Sequence, residues 1–203
     1  MRGACYIAYG AAARCEVVES IRSFRRCHSL PVAVAGEKEN YTPPPVEGWN
    51  VFDDLQRSRW AKVTLDLWSP FDYTLYLDAD TRVRGNLAAG FQMLEDGWDM
   101  AIAPSGRQEI GLLGHVQQGE REATLDELVN PLPLQLQAGM IFFRKNGATA
   151  RLFRAWRREW LRWQEQDQAA LLRALCREPA RLWLLGRDWN EGALVEHLFG
   201  RAR

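Results

Sequence analysis

The chain has 203 residues, 47% of them hydrophobic, which is enough to bury a full core in one folding unit. Its 26 basic and 26 acidic side chains cancel, so no net field draws it to nucleic acid or to an anionic membrane, and any anion site must be local. Cys5, Cys15, Cys27 and Cys176 show no Cys-x-x-Cys spacing, which argues against a zinc ribbon or a redox pair and for reduced thiols.

No apolar run reaches the length of a membrane span, and the opening Met1 to Gly10 makes a poor signal peptide, so a cytoplasmic protein without a membrane span is expected. Cys5 to Tyr9 reads as a first strand, and Val17, Val18, Ile21 and Phe24 follow at helical spacing. Pro31 to Ala35 reads as a second strand. Strand, helix, strand is the unit of a parallel α/β sheet, whose ligands sit beyond the carboxyl ends of the strands. Tyr9 and Gly10 would lie there.

The Pro-rich stretch from Gly36 to Asn50 reads as a loop too short to link domains, and a single domain over 1–203 is expected. A helix is predicted from Asp54 to Leu67, ending near Ser69-Pro70. It leads into an apolar strand ending in Tyr76-Leu-Asp-Ala-Asp80. Asn86 to Leu94 reads as helix and Trp98 to Ala103 as strand. The polar stretch from Ser105 to Gln135 reads as a long excursion with a short helix near Leu125 to Val129, the kind of segment that carries binding surface. Gly139 to Phe143 is a buried strand. Ala148 to Glu165 is an amphipathic helix whose Leu152, Trp156, Trp160 and Trp163 recur at core spacing. Its Arg154, Arg157 and Arg158 read as solvated surface. A helix over Asp167 to Cys176 and a strand over Arg181 to Leu185 complete the pattern.

Asp78 and Asp80 carry the chemistry. In an extended backbone they project together while Ala79 points away, and two like charges in one space call for a cation between them. Oxygen ligands of this kind suit magnesium, manganese or calcium. A turn or helix cap is the ordinary alternative for either Asp. His197, among the apolar Val195, Leu198 and Phe199, reads by itself as a structural histidine. His28 and His115 lack motif context and read as structural.

The order of these motifs is more specific than any one of them. Tyr76-Leu-Asp-Ala-Asp80 resembles the Asp-x-Asp signature of GT-A fold glycosyltransferases. Gln137-Ala138-Gly139 and Asp167-Gln168 resemble downstream motifs of glycosyltransferase family eight, and His197-Leu-Phe-Gly200 with Arg203 resembles its closing His-x-x-Gly-x-x-Lys motif. The resemblance spans nearly the whole chain. It implies a GT-A, Rossmann-like α/β fold, with a mixed, mostly parallel central sheet flanked by helices. It also implies transfer of a sugar from a nucleoside diphosphate donor, UDP-sugar first, to an acceptor hydroxyl, with retention.

By that resemblance Asp78, Asp80 and His197 hold a divalent metal. One imidazole beside two carboxylates favours manganese, with magnesium as the alternative. Gly200 would let backbone approach the diphosphate, and Arg203 would fork onto it in place of the family's Lys. Ala8 and Tyr9 correspond to the part that meets base and ribose, and Ala79, Ala138 and Gly139 to the walls of the donor site. Lys62 matches a position with a basic residue facing the nucleotide sugar, although a Lys on an amphipathic helix is ordinarily solvated. Asp167 and Gln168 match residues near the donor sugar, and Asp167 could equally cap its helix. Gln137 stands where the family has Asn, which moves the amide by one carbon.

Two rivals remain on sequence grounds. A nucleotidyltransferase would carry a Gly-rich basic loop after the first strand, where this chain has Gly10-Ala-Ala-Ala13 and Arg14. A catalytically idle nucleotide-sugar binding or scaffold protein would keep the fold without turnover. An inverting enzyme would need a general base, and the excursion offers Glu120, Glu122, Asp126 and Glu127. The sequence leaves the acceptor open among glycans, lipids, proteins and small molecules, and leaves the oligomeric state open too.

Overall fold

A computed structural model describes residues 1–36, 48–51, 59–106, 113–128 and 134–202. In chain order these form β1 (Arg2–Ala8), α1 (Gly10–Cys27), β2 (Val32–Gly36), β3 (Gly48–Val51), α2 (Trp60–Val63) and α3 (Leu65–Trp68). Next come β4 (Tyr73–Leu77), β5 (Thr81–Val83), α4 (Ala88–Glu95), β6 (Met100–Pro104) and α5 (Gln118–Glu127). The chain continues through β7 (Leu136–Arg144), α6 (Gly147–Leu161), α7 (Asp167–Arg177), β8 (Leu182–Leu184), α8 (Asp188–Glu191) and β9 (Val195–His197).

The main sheet has the order β3-β2-β1-β4-β7-β6-β8. β1, β2, β3 and β4 pair in parallel, as do β6 and β8, while β7 runs against its neighbours β4 and β6. The expected mixed, mostly parallel sheet is therefore observed. Helices cover both faces, which is why β2 and β4 are continuous apolar runs with little alternation. On one face Val17, Ile21 and Phe24 of α1 and Phe91 and Leu94 of α4 pack on Leu75 and Leu77. On the other, Leu152, Phe153, Trp156 and Trp160 of α6 join α7 over Tyr76, Ile141 and Phe143. Each such fully buried large side chain contributes about 1.5–3 kcal/mol through the hydrophobic effect. Leu152, Trp156 and Trp160 are core, as their spacing predicted, while Trp163 lies beyond the end of α6 and is half-buried.

α6 begins at a capping box in which Asn146 Oδ1 accepts from Thr149 N–H at 2.9 Å and Thr149 Oγ1 accepts from Asn146 N–H at 3.1 Å. Several features depart from the sequence reading, among them β3 at the end of the stretch read as loop and α6 ending at Leu161 before Glu165. The single helix expected over 54–67 is two short helices split at Thr64, whose hydroxyl donates back to Trp60 O at 2.8 Å and competes with the ladder; its first part lies outside the described residues. The helix expected near Leu125 starts earlier, at Gln118, because Glu120 and Thr124 face the buried Arg173. Arg157 is not solvated: it is drawn onto Asp66 and onto Val63 O.

A second, two-stranded sheet pairs β5 with β9 antiparallel. Among the described residues no helix is long and apolar enough to cross a membrane.

Candidate active site

The β4 run ends at Leu77, and the chain turns at Asp78 instead of continuing as strand. Asp78 N–H donates to Gly139 O at 2.8 Å, and Asp78 O accepts from both Thr81 N–H at 3.1 Å and Thr81 Oγ1 at 2.8 Å. Both carboxylates thus leave one tight turn, and Ala79 packs its methyl into the core. β5 begins at Thr81 and pairs directly with His197 of β9. That register brings His197 Nε2 to 3.2 Å from Asp80 Oδ1 and 3.8 Å from Asp78 Oδ2. One ligand atom from each of Asp78, Asp80 and His197 lies within 4.8 Å of the others.

Asp80 is further held by two amides: its Oδ2 accepts from Gly200 N–H at 3.0 Å, and its backbone oxygen accepts from Leu198 N–H at 2.8 Å. Burial alone would raise the Asp80 pKa, but the His197 contact and the Gly200 amide outweigh it and hold the carboxyl below its ordinary value. Gly200 has φ +88°, a backbone conformation that glycine adopts without strain, and it aims its N–H at this carboxylate.

Gly139 is required by close approach. A Cβ there would stand 2.3 Å from His197 Cε1 and 3.0 Å from Asp78 Oδ2. The register between β6 and β7 shifts beside this point, with Ile102 opposite Ile141 but Ala103 opposite Gln137, so β7 carries a bulge here. His197 is oriented from behind: its Nδ1 lies 3.3 Å from Asn190 Oδ1, and its ring stacks on Phe199 with centroids 3.9 Å apart. Asn190 is buried, and its Nδ2 has no partner among the described residues.

A second charged layer backs Asp78. Lys62 Nζ stands 3.0 Å from Asp78 Oδ1 and 3.0 Å from Asp167 Oδ2, and Arg59 Nε is 3.0 Å from Asp167 Oδ1. The Tyr76 hydroxyl donates to Asp78 Oδ1. Burial works against the charge of Lys62, but Asp167 and Asp78 overcome it and raise its pKa above the ordinary value. Burial likewise opposes the charge of Asp167, and Lys62 and Arg59 reverse that, holding its pKa low. Tyr76 is pushed far up by burial and by the neighbouring Asp78, so it stays a donor. Lys62 is thus a buried ion-pair partner and not a solvated lysine, and Asp167 is the first residue of α7 while Gln166 occupies the cap position.

Gln168 Nε2 donates to Gln137 Oε1 at 2.6 Å, so the two amides that the sequence placed near one ligand are in contact. β1 and β4 are parallel neighbours with Tyr6 opposite Leu77, which sets Ala8 and Tyr9 at the sheet edge where Asp78 emerges. The methyls of Ala8, Ala79 and Ala138 are buried in the core, leaving these residues only their backbone to offer a ligand. Arg203 lies outside the described residues. An open cleft of about 490 Å³ lies against His197 and Phe199, rimmed by Arg84, Arg187, Glu191 and Glu196.

His28 is structural, as expected: it stacks on Phe24, its Nε2 accepts from Leu87 N–H at 3.1 Å, and burial lowers its pKa. Of the excursion's carboxylates, Glu120 is buried against Arg173 at 3.0 Å, and Glu127 pairs with Arg162 and Arg177. Sequence reasoning passed over Arg59, the Tyr76 hydroxyl and Asn190. The signal that could have found Arg59 was charge balance, since Asp167 and an Asp pair at a buried strand end need more cation than one lysine supplies. No local pattern marks Asn190.

No family model matches the sequence, and no curated protein matches it. Solved structures do. The bifunctional glycosyltransferase WbbM, in its apo form, superposes with a TM-score of 0.61 at 16% identity, over 93% of this chain and 39% of that one. The glycosyltransferase GlyE of Streptococcus pneumoniae TIGR4 gives 0.59 at 18% identity, over 94% of this chain and 47% of that one. Mouse xyloside xylosyltransferase 1, apo form, gives 0.59 at 11% identity, over 94% of this chain and 87% of that one. The chain spans less than half the length of the first two structures. At these identities the likeness concerns the fold, and the fold is that of the GT-A glycosyltransferases.

Proposed function

We propose that the chain is a single GT-A domain over 1–203 that transfers a sugar from a nucleoside diphosphate donor, UDP-sugar first, to an acceptor hydroxyl, with help from a divalent metal. The observation that carries this reading is the convergence of Asp78, Asp80 and His197 at the carboxyl edge of a GT-A sheet. The donor set fits a divalent cation. Two carboxylates and an imidazole face one point, Gly139 leaves the room that a methyl would fill, and Asn190 orients the imidazole from behind as an outer partner of a ligand histidine does. One nitrogen with two oxygen donors suits manganese, with magnesium the alternative.

When bound, such an ion neutralises charge that builds on the departing nucleoside diphosphate. The chain's own groups then have separable roles. Asp78, Asp80 and Asp167 against Lys62 and Arg59 leave the cluster with an excess of negative charge, which attracts a cation and repels a bare diphosphate. The Gly200 segment lies beside Asp80, where its backbone can approach phosphate. Gln168 and Gln137 bring amide groups to the Asp167 side, where the family resemblance puts the sugar. Glu120 and Glu127, two of the carboxylates that an inverting reaction could use as base, are held in ion pairs, and this favours retention.

Calorimetric titration of metal-free protein with UDP and with GDP, each with and without manganese, tests the reading alongside Asp80→Asn. Manganese-dependent binding of one nucleotide that the variant loses is the expected result. Equal binding without metal, or binding of neither nucleotide, would overturn it. A second reading, an idle nucleotide-sugar binder, draws on Lys62 and Tyr76, which already satisfy Asp78 Oδ1 within the protein. Donor hydrolysis separates the two: a binder holds the nucleotide sugar without splitting it.

A further inference from the structure

Three glutamine side chains form a directed chain beside Asp167. Gln135 Oε1 accepts from Leu113 N–H at 3.1 Å. Gln135 Nε2 donates to Gln168 Oε1 at 3.4 Å, and Gln168 Nε2 donates to Gln137 Oε1 at 2.6 Å. A carboxamide has one accepting and one donating end of nearly the same shape, so an isolated glutamine can face either way. Here one bond removes that freedom. A backbone N–H can only donate, so Gln135 must turn Oε1 to Leu113 and Nε2 away from it. Gln168 must then meet that Nε2 with its own Oε1 and pass Nε2 onward, and Gln137 must receive it on Oε1. Among the described residues, the Gln137 Nε2 is left as the free end.

Gln135 is 3% exposed, so water has little access to break the sequence at its head. Gln135 Nε2 also lies 3.4 Å from His115 Nδ1. The chain also crosses elements: Leu113 and His115 belong to the excursion between β6 and α5, Gln137 to β7 and Gln168 to α7.

We infer that Gln135 is a positioning residue that sets the polarity of this amide chain, so that Gln137 presents N–H donors and no acceptor to the ligand group beside it. The identity of that group rests on the function proposed above: it is a substituent of the donor sugar. The arrangement suits a substituent that accepts a hydrogen bond, such as a hydroxyl or carbonyl oxygen, and disfavours an ammonium, which only donates. Discrimination of this kind is strong where a mismatch leaves a buried polar group without a partner, and Gln137 is 9% exposed.

The test starts from the metal-free, nitrogen-15 labelled protein without ligand, by measuring exchange of side-chain amide hydrogens with water. In the native chain the Gln168 amide exchanges slowly and the Gln137 amide quickly. Gln135→Glu offers only acceptors, so Gln168 and Gln137 both turn over, and the Gln137 amide becomes slow by about tenfold or more, as its Nε2 now donates to Gln168. Gln135→Met, which is neutral and of similar length, leaves both directions open and gives intermediate exchange. It decides the matter if Gln135→Glu does not fold. A slow Gln137 amide in the native chain, or one unchanged in both variants, would overturn the inference.

The ligand half is read with UDP-sugars carrying an amino group in place of hydroxyl at C2, C3 or C4, competed against UDP-glucose with manganese present. The expected result is that Gln135→Glu recovers at least about tenfold in binding for one of the three, relative to native. Three unchanged ratios would overturn the specificity claim. If native protein binds no UDP-sugar at all, the function proposed above fails, while the amide exchange still decides the polarity.

Discussion

Lys62 Nζ and Asp78 Oδ1 stand 3.0 Å apart, closer than His197 comes to the same carboxylate. A cation supplied by the protein therefore already engages one lobe of Asp78, and the other lobe faces His197. This pairing offsets part of the repulsion among the three carboxylates gathered at one sheet edge.

Lys62→Met removes the cation shared by Asp78 and Asp167 and leaves Arg59 alone to balance a buried carboxylate. Stability is expected to fall by about 3 kcal/mol, the scale for breaking a buried pair from one side. Manganese should then raise the melting temperature of the variant more than that of the native protein, because only an added ion can restore the balance. Thermal unfolding with and without manganese checks both parts, and a smaller shift in the variant would show that Lys62 assists ion binding instead of competing with it.

Gly139→Ala places a methyl 2.3 Å from His197 Cε1. The ring or the β7 backbone must move, at a cost of about 1–3 kcal/mol in stability. Manganese affinity, followed by electron paramagnetic resonance of the free ion, should drop by more than tenfold. Full affinity would mean that His197 does not ligate.

Asn190→Ala leaves His197 Nδ1 without its acceptor while sparing Asp78, Asp80 and Gly139. Loss of an outer partner of a ligand histidine typically weakens metal binding by about 10–100-fold. The same resonance titration measures it, and nitrogen-15 shifts of the His197 ring should report a change of tautomer in the metal-free protein.

Asp99 supplies an acid-sensitive contact far from this site in function. Its Oδ1 accepts from Arg144 Nη2 at 2.9 Å and from Asn146 Nδ2 at 2.7 Å, and its Oδ2 accepts from Arg181 N–H at 3.0 Å. Burial would raise its pKa, but the Arg181 amide, Asn146 and Arg144 overcome that and hold it below the ordinary 3.8. The folded carboxyl thus binds its proton less tightly than the unfolded one. Its contribution is fully present above the unfolded value and is lost as pH falls below about 4 through the lower folded value. Chemical denaturation at pH 3, 4 and 6 should show a steeper acid loss for native protein than for Asp99→Asn, which has no such proton to gain.

The strands β1, β2, β4, β6, β7 and β8 and the pairing of Asp78 with Asp80 were legible because each is a local pattern: an apolar run, a period, a spacing of two. His197 and Gly200 were legible only through the family resemblance, since β9 has three residues and no periodicity. Lys62 shows the limit. Its helix reads as amphipathic with a polar lysine, and nothing local reveals that Asp78 and Asp167, from two other elements, close over it. Gln135 is invisible for the same reason, because its role depends on an amide donor at Leu113 and an acceptor on α7. The start of α5 was misplaced because its inward residues, Glu120 and Thr124, are polar and are made tolerable only by Arg173 from elsewhere in the chain.

The β5–β9 ribbon also has a consequence for synthesis. Gly200 and Asp80 meet across 120 positions, and Thr81 cannot pair with His197 until the segment through β9 has emerged. A nascent chain that has already folded its sheet would carry both carboxylates but no imidazole and no amide from Gly200. The three side chains of the cluster therefore come together only when this long-range loop closes. A chain made only as far as β7 holds two parts of this cluster and lacks the third.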